Sequence, residues 1–309
     1  MELKIISVNI SEKKGTVKKP TDRITITELG VQGDAHSGNW HRQISLLGTE
    51  SVARFALEAG REIAFGEFAE NLSTEGIELV NTLPLDRFSG NGVELEITQI
   101  GKKCHGTSCA IFTEVGNCVM PKEGIFARVK KGGELKPGDK LTYEPRIYQF
   151  RIITLSDRAS RGEYSDRSGP RITEMISAHF ANTNRKFETK NILIPDNAGQ
   201  LRLLIEEAIA EGVDVVITTG GTGIGERDIT VDTIKPFLQM EIPGIMDSIR
   251  MKFGANNPLA LLSRSVAGIA GNTLIYTLPG SVKAISEYMP EIMKTLEHLI
   301  YMRHGLDTH

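Results

Sequence analysis

Residues 213–219 read Val-Asp-Val-Val-Ile-Thr-Thr, an almost unbroken β-branched run, and no other stretch constrains the fold as much. A strand that is apolar on both faces needs cover on both, which a parallel sheet between two helical layers supplies. The neighbouring text alternates in the way such a sheet requires. Strand patterns fall over 149–156 and 191–194, helical ones over 170–180 and 200–210, and a further helix over 244–253 precedes a strand at 274–278. A closing helix over 282–302 places Ile285, Met289, Ile292, Met293 and Leu296 at helical spacing. Alternation of this kind predicts βαβ units and an α/β domain with a doubly wound, mostly parallel sheet.

Ahead of Pro145 the rhythm differs. Short β-type runs over 3–8, 23–27, 43–47, 93–100 and 140–143 are broken by Gly, Asn and Pro, which predicts a mainly β domain, a barrel or a sandwich with mostly antiparallel strands. One helix interrupts them over 49–59, with Thr49 as its cap and Val52, Phe55 and Ala56 on one face. At 309 residues the chain can build two cores, and the expected domains are 1–145 and 146–309.

Composition narrows the function classes. Hydrophobic residues at 40% and charged ones at 24% are ordinary globular values. With 36 basic against 39 acidic residues and a net charge of −3, neither nucleic acid nor an anionic membrane is expected as partner, and a small molecule is. No apolar stretch approaches the ~18 residues of a membrane span, and the opening Met-Glu-Leu-Lys-Ile-Ile-Ser-Val lacks a signal peptide's apolar region, so a cytoplasmic location is expected. The three cysteines, Cys104, Cys109 and Cys118, point to thiols or a metal site rather than to a disulfide framework.

In a parallel α/β sheet the ligand lies beyond the carboxyl ends of the strands. Those ends here are small and polar: Ser156-Asp157-Arg158, then Asp166-Arg167-Ser168-Gly169-Pro170 with Pro170 placed to open a helix, then Ile194-Pro195-Asp196-Asn197, Thr219-Gly220-Gly221-Thr222-Gly223-Ile224-Gly225, and Pro279-Gly280-Ser281-Val282-Lys283 at another helix start. Glycines 220, 221, 223 and 225 let backbone N–H groups approach an anion, with Thr218, Thr219 and Thr222 as added donors. The loop is neither a P-loop, lacking Gly-Lys-Ser/Thr, nor a dinucleotide fingerprint. Asp196 and Asp228 are expected to face one crevice and hold Mg²⁺ beside phosphates. Taken singly, Asp196 also suits a turn, and Asp228 could simply pair with Arg227.

Together with Arg227-Asp228-x-Thr230 and Leu278-Pro279-Gly280-Ser281-x-Lys283-Ala284, these motifs resemble the MogA type of molybdopterin adenylyltransferase over about residues 148–304. The resemblance implies transfer of AMP from ATP to the terminal phosphate of molybdopterin with Mg²⁺, giving adenylyl-molybdopterin and pyrophosphate. It places the two essential aspartates on Asp196 and Asp228, and ligand contacts on Ser156, Asp157, Arg158, Ser168, Thr219, Gly220, Gly221, Thr222, Gly223, Gly280, Ser281 and Lys283. It also implies a trimer. Val231 departs from the pattern, standing where proline often follows the threonine. A sister branch, MoaB-like, and the related domain of molybdopterin molybdotransferases share the glycine loop, so fold alone does not assign the reaction. Retention of both aspartates favours adenylyl transfer.

In the first half, Lys102-Lys103-Cys104-His105-Gly106-Thr107-Ser108-Cys109 follows a strand. With Gly30-Val31-Gln32-Gly33-Asp34-Ala35-His36, the segment from Gly124, and Pro137-Gly138-Asp139, this block resembles the MOSC domain over about residues 3–143. That resemblance implies a cysteine carrying sulfur or ligating molybdenum. Cys109 is the best match and Cys104 the fallback, with Lys102, Lys103 and His105 placed to favour a thiolate. Cys118 reads as structural, a zinc site at Cys104 and Cys109 is a rival, and His36 and Arg42 either bind an anionic cofactor or, with Asp34, form a turn around a satisfied histidine. The two halves together imply molybdenum cofactor biosynthesis, with other proteins of that pathway as partners. The competing class is a non-catalytic binding or carrier protein for molybdopterin or the molybdenum cofactor.

Overall fold

In the computed structural model, which describes residues 1–102 and 118–306, two compact units divide the chain, one built on Met1–Arg146 and the other on Ile147–Gly305. The short runs of the first unit become β1 (Glu2–Ile10), β2 (Lys19–Thr21), β3 (Ile24–Thr27), β4 (Gly30–Val31), β5 (Ile44–Gly48), β6 (Leu72–Glu75), β7 (Arg87–Gly90), β8 (Val93–Ile100), β9 (Ile125–Lys131), β10 (Gly133–Leu135) and β11 (Lys140–Glu144). Seven of them, in the order β1-β6-β5-β9-β8-β7-β11, close into a barrel because Glu2 and Lys4 of β1 pair with Thr142 and Lys140 of β11. Closure removes the unpaired edges that a short-stranded sheet would otherwise expose. All neighbours in the barrel are antiparallel except β5 and β6.

Period-two patterning fills the interior. Leu3 and Ile5 of β1, Val93, Leu95 and Ile97 of β8, and Ile44, Leu46, Phe88 and Leu141 form one buried cluster. The predicted helix is α1 (Thr49–Ala59), but Thr49 is its first helical residue, not its cap; Gly48 holds the cap position without a side-chain bond. Val52 and Phe55 are buried, with Phe55 edge-on to Phe68 at 5.0 Å. A short α2 (Met120–Glu123) follows.

The second unit has six strands: β12 (Ile147–Leu155), β13 (Lys186–Ile194), β14 (Val215–Thr219), β15 (Met240–Glu241), β16 (Ala267–Ala270) and β17 (Thr273–Leu278). Their order is β13-β12-β14-β17-β16-β15, the first four parallel and the last two antiparallel at one edge. The β-branched run thus becomes a fully buried inner strand. Helices α3 (Asp157–Ser160), α4 (Ser168–Phe180), α5 (Ala198–Ala210), α6 (Thr230–Ile234), α7 (Pro243–Gly254) and α8 (Val282–Arg303) complete the unit. Val216, Ile153 and Ile275 pack with Leu201 and Ile205 of α5 and Val231 and Ile234 of α6, while α8 packs against α4 and α7. The fold is therefore a doubly wound, mostly parallel α/β sheet joined to a mainly β, barrel-like domain. Pro170 stands two residues inside α4 rather than at its opening. Among the described residues no helix is long and apolar enough to cross a membrane.

Candidate active site at the strand ends

Parallel β13, β12, β14 and β17 end at Ile194, Leu155, Thr219 and Leu278, along one edge of the sheet. After β14 the chain turns through Gly220 at φ +102° and Gly221 at φ +62°, a conformation that L side chains rarely adopt. A Cβ on Gly220 would collide with the Leu155 carbonyl oxygen. Thr230 locks the turn: its hydroxyl donates to the Gly220 carbonyl at 2.7 Å and its N–H to that of Gly221 at 3.0 Å. The second turn, at Pro279-Gly280, is held by two hydroxyls, Thr219 donating to the Pro279 carbonyl at 3.0 Å and Ser168 to that of Gly280 at 2.9 Å. Thr219 and Ser168 therefore shape the turns. Ser281 caps α8, its hydroxyl accepting from Ala284 N–H at 3.1 Å.

A cavity of about 350 Å³ opens between these loops, lined by Gly221, Thr222, Gly223, Asp228, Gly280, Ser281 and Lys283. The helix N-terminus at Ser281 and the Lys283 ammonium give it an anion-attracting end. Asp228 is tied to the glycine loop: its carboxylate accepts from Gly225 N–H at 2.8 Å, and a Cβ on Gly223 would lie 2.7 Å from its Oδ2. It does not pair with Arg227, whose guanidinium instead stands 4.0 Å from the Asp157 carboxylate.

Beside Asp228 lies an acidic pair, Asp157 and Asp196. Asp196 N–H donates to Asp157 Oδ1 at 3.0 Å and Asp157 N–H to Asp196 Oδ2 at 3.2 Å, so each aspartate fixes the other. Burial raises the Asp196 carboxyl above its ordinary value, and the charges of Asp157 and Asp228 push the same way. Asp157, Asp196 and Asp228 thus share one electrostatic neighbourhood. Among the described residues no three or more His, Cys, Asp or Glu enclose a metal site by themselves. The donor set nonetheless fits Mg²⁺, which takes one or two hard carboxylates and fills its octahedron with water and phosphate. Ser156 caps α3, and its hydroxyl meets that of Tyr164 at 2.9 Å. Arg158 turns to Glu163 at 3.1 Å.

In the barrel unit, Asp34 accepts from Ser11 N–H and His36 N–H, both at 3.0 Å, and from Lys18. Burial pushes its carboxyl up, but bonds from His36 and Lys18 outweigh that and hold it well below the usual range. The turn that the sequence left as an alternative forms through the His36 N–H bond to Asp34, but His36 Nδ1, 3.4 Å from Asp34, makes no hydrogen bond, so the ring is not the satisfied histidine of that alternative. Arg42 stacks over Trp40 at 4.9 Å. Cys118 is half-buried against the cluster of Leu47, Val52 and Phe55, whereas Cys104, Cys109, Lys103 and His105 lie outside the described residues.

Sequence reasoning missed part of the cavity wall: Asn257, Leu259 and Leu262 in and just ahead of the 3₁₀ segment Pro258–Leu262, and Glu287 and Tyr288 on α8. Glu287 stands one turn beyond Lys283 on α8, and that spacing was a usable signal.

The family model described as a probable molybdopterin binding domain matches residues 151–298, and that of the MOSC domain matches 33–142. The molybdopterin adenylyltransferase of Pyrococcus furiosus is 34% identical over 161 residues, 50% of this chain and 91% of that protein. Molybdenum cofactor biosynthesis protein B of Staphylococcus carnosus is 37% identical over 159 residues, again 50% and 91%. The molybdenum cofactor synthesis protein cinnamon of Drosophila melanogaster is 34% identical over 154 residues, 50% of this chain but only 25% of its own length.

Proposed function

Since the chain belongs, through its second unit, to the family of the probable molybdopterin binding domain and carries a MOSC domain ahead of it, we propose that it transfers AMP from ATP to the terminal phosphate of molybdopterin, releasing pyrophosphate. Its place is in molybdenum cofactor biosynthesis. The observation that carries the reaction is the convergence of Asp157, Asp196 and Asp228 beside a glycine loop whose tip is tied to Asp228. Carboxylates so placed repel a polyphosphate unless a cation stands between them.

Both reactants are anionic, so positioning and charge neutralisation do the catalytic work, with no protein nucleophile required. Backbone N–H groups of Gly221–Gly223, the Ser281 helix end and Lys283 hold phosphate. Asp196 and Asp228 hold Mg²⁺, which when bound neutralises phosphate charge. Asp157 orients Asp196 through the paired backbone bonds. Gly220, Gly280, Thr219, Ser168 and Thr230 keep the two turns at contact distance, the Cβ position of Gly280 lying 3.2 Å from Gly220 Cα. Ser156 and Arg158 border the acidic pair.

The two units serve as separate functional domains, 1–145 and 146–309. The MOSC domain carries sulfur, molybdenum or cofactor through Cys109, with Cys104 as its substitute, and hands it to or from other proteins of the pathway. Cytoplasmic location and trimeric assembly belong to this proposal. The test is pyrophosphate release from ATP with the full chain, Mg²⁺ and molybdopterin. Release that needs all three supports transfer; molybdopterin binding without release assigns the carrier role instead.

A further inference from the structure

Part of the cavity wall is polar in a way that phosphate binding does not use. Glu287 lines the cavity one helical turn beyond Lys283, yet among the described residues it makes no hydrogen bond or ion pair, even with Lys283. Next to it Tyr288 is 1% exposed and its hydroxyl has no hydrogen-bond partner. Leu259 and Leu262 add apolar surface to the same wall.

A half-buried carboxylate without a partner, beside an anion site, repels a second phosphate and calls for hydrogen-bond donors from the ligand. Adenine sets its 6-amino donor beside the N1 acceptor, so one carboxylate oxygen would face a lone pair. A 2-amino-4-oxopyrimidine ring sets N3–H beside the 2-amino group, two donors that match two carboxylate oxygens as a guanidinium does. We infer that Glu287 is a specificity-determining residue that reads the 2-amino-4-oxo edge of a pterin, so this cavity is the pterin's seat and adenine binds elsewhere along the strand ends. The inference rests on the proposed function in taking a pterin as substrate.

The test is a fluorescence titration of the full chain with 6-hydroxymethylpterin phosphate, with the corresponding lumazine phosphate, which carries oxygen in place of the 2-amino group, and with AMP as competitor. Wild type should prefer the pterin phosphate on the order of 10- to 100-fold. Glu287→Gln, melting as wild type does, should lose that preference, because its amide donates where the pterin also donates, and should gain affinity for the lumazine. Glu287→Asp should keep the direction of preference at reduced size. Equal binding of the two ring systems by wild type, an unchanged preference in Glu287→Gln, no binding of the pterin phosphate, or one-for-one displacement by AMP would each overturn the inference. A Glu287-dependent preference without pyrophosphate release removes the transferase reading and leaves this one standing; release without such a preference does the reverse.

Discussion

Asp196 holds its charge where the fold resists it. Its raised carboxyl means that the folded state binds a proton more tightly than the unfolded one, so ionisation of Asp196 lowers stability as pH rises from its ordinary 3.8 through the folded value. Asp196→Asn should therefore melt higher than wild type at neutral pH, and the difference should shrink as the medium is acidified below that window. Pyrophosphate release should fall on the order of 10²-fold. Paired calorimetry and turnover at several pH values check both, and a lower melting temperature at neutral pH would contradict the assignment. Burial also works against the charge of Lys18 and lowers its ammonium below the ordinary value, yet removing this side chain has the opposite effect on stability. It and Asp34 are both buried as a pair, so Lys18→Ala strands a buried carboxylate and should destabilise the barrel unit by about 3–5 kcal/mol while pyrophosphate release at a permissive temperature stays at the wild-type level. Asp228 and Asp196 could be picked from the sequence because the strand-end rule says where to look. Glu287 was missed: its spacing of four from Lys283 marks a shared helix face, but that this face lines the cavity depends on how α8 packs against α4 and α7, which no local pattern encodes.

At the scale of elements, the glycine loop and Asp228 act as one piece. Gly223→Ala needs no unusual backbone angle, but its methyl would stand against Asp228 Oδ2 at 2.7 Å and displace the carboxylate. Turnover should drop on the order of 10²-fold, the usual cost of a displacement near 1 Å at a reacting centre, with little change in melting temperature; wild-type turnover in Gly223→Ala would show that the carboxylate need not sit there. The four long helices and the parallel strands of the second unit were legible in the sequence because their apolar periods run long, as in residues 213–219 and along α8, whereas α3 and α6, of four and five residues, were not. Antiparallel β15 and β16 were not, since two- and four-residue strands carry too few alternations to separate from loop. The same brevity hid β2, β4, β6, β7 and β10 of the first unit, while β9, seven residues long, was missed because its second half, Val129-Lys130-Lys131, turns polar and breaks the apolar alternation. Thr49 was misplaced as a cap because Gly48 supplies the extended backbone that a cap position needs without any side chain.

For the whole molecule, the chain carries two units with separate hydrophobic cores, so damage in one core should leave the chemistry of the other measurable. The existence of two domains and their classes followed from the change of rhythm near Pro145. Closure of the barrel did not, because the pairing of β1 with β11 joins residues about 140 positions apart. The proposed activity of the second unit is argued from the two aspartates more than from its fold, which other molybdenum cofactor proteins share. The most direct measurement is therefore pyrophosphate release by the full chain carrying Asp228→Asn, with ATP, Mg²⁺ and molybdopterin, beside molybdopterin affinity and melting temperature on the same preparation. The account predicts release lowered on the order of 10²- to 10³-fold, with pterin affinity and melting close to wild type. Unchanged release in a folded Asp228→Asn protein would contradict it.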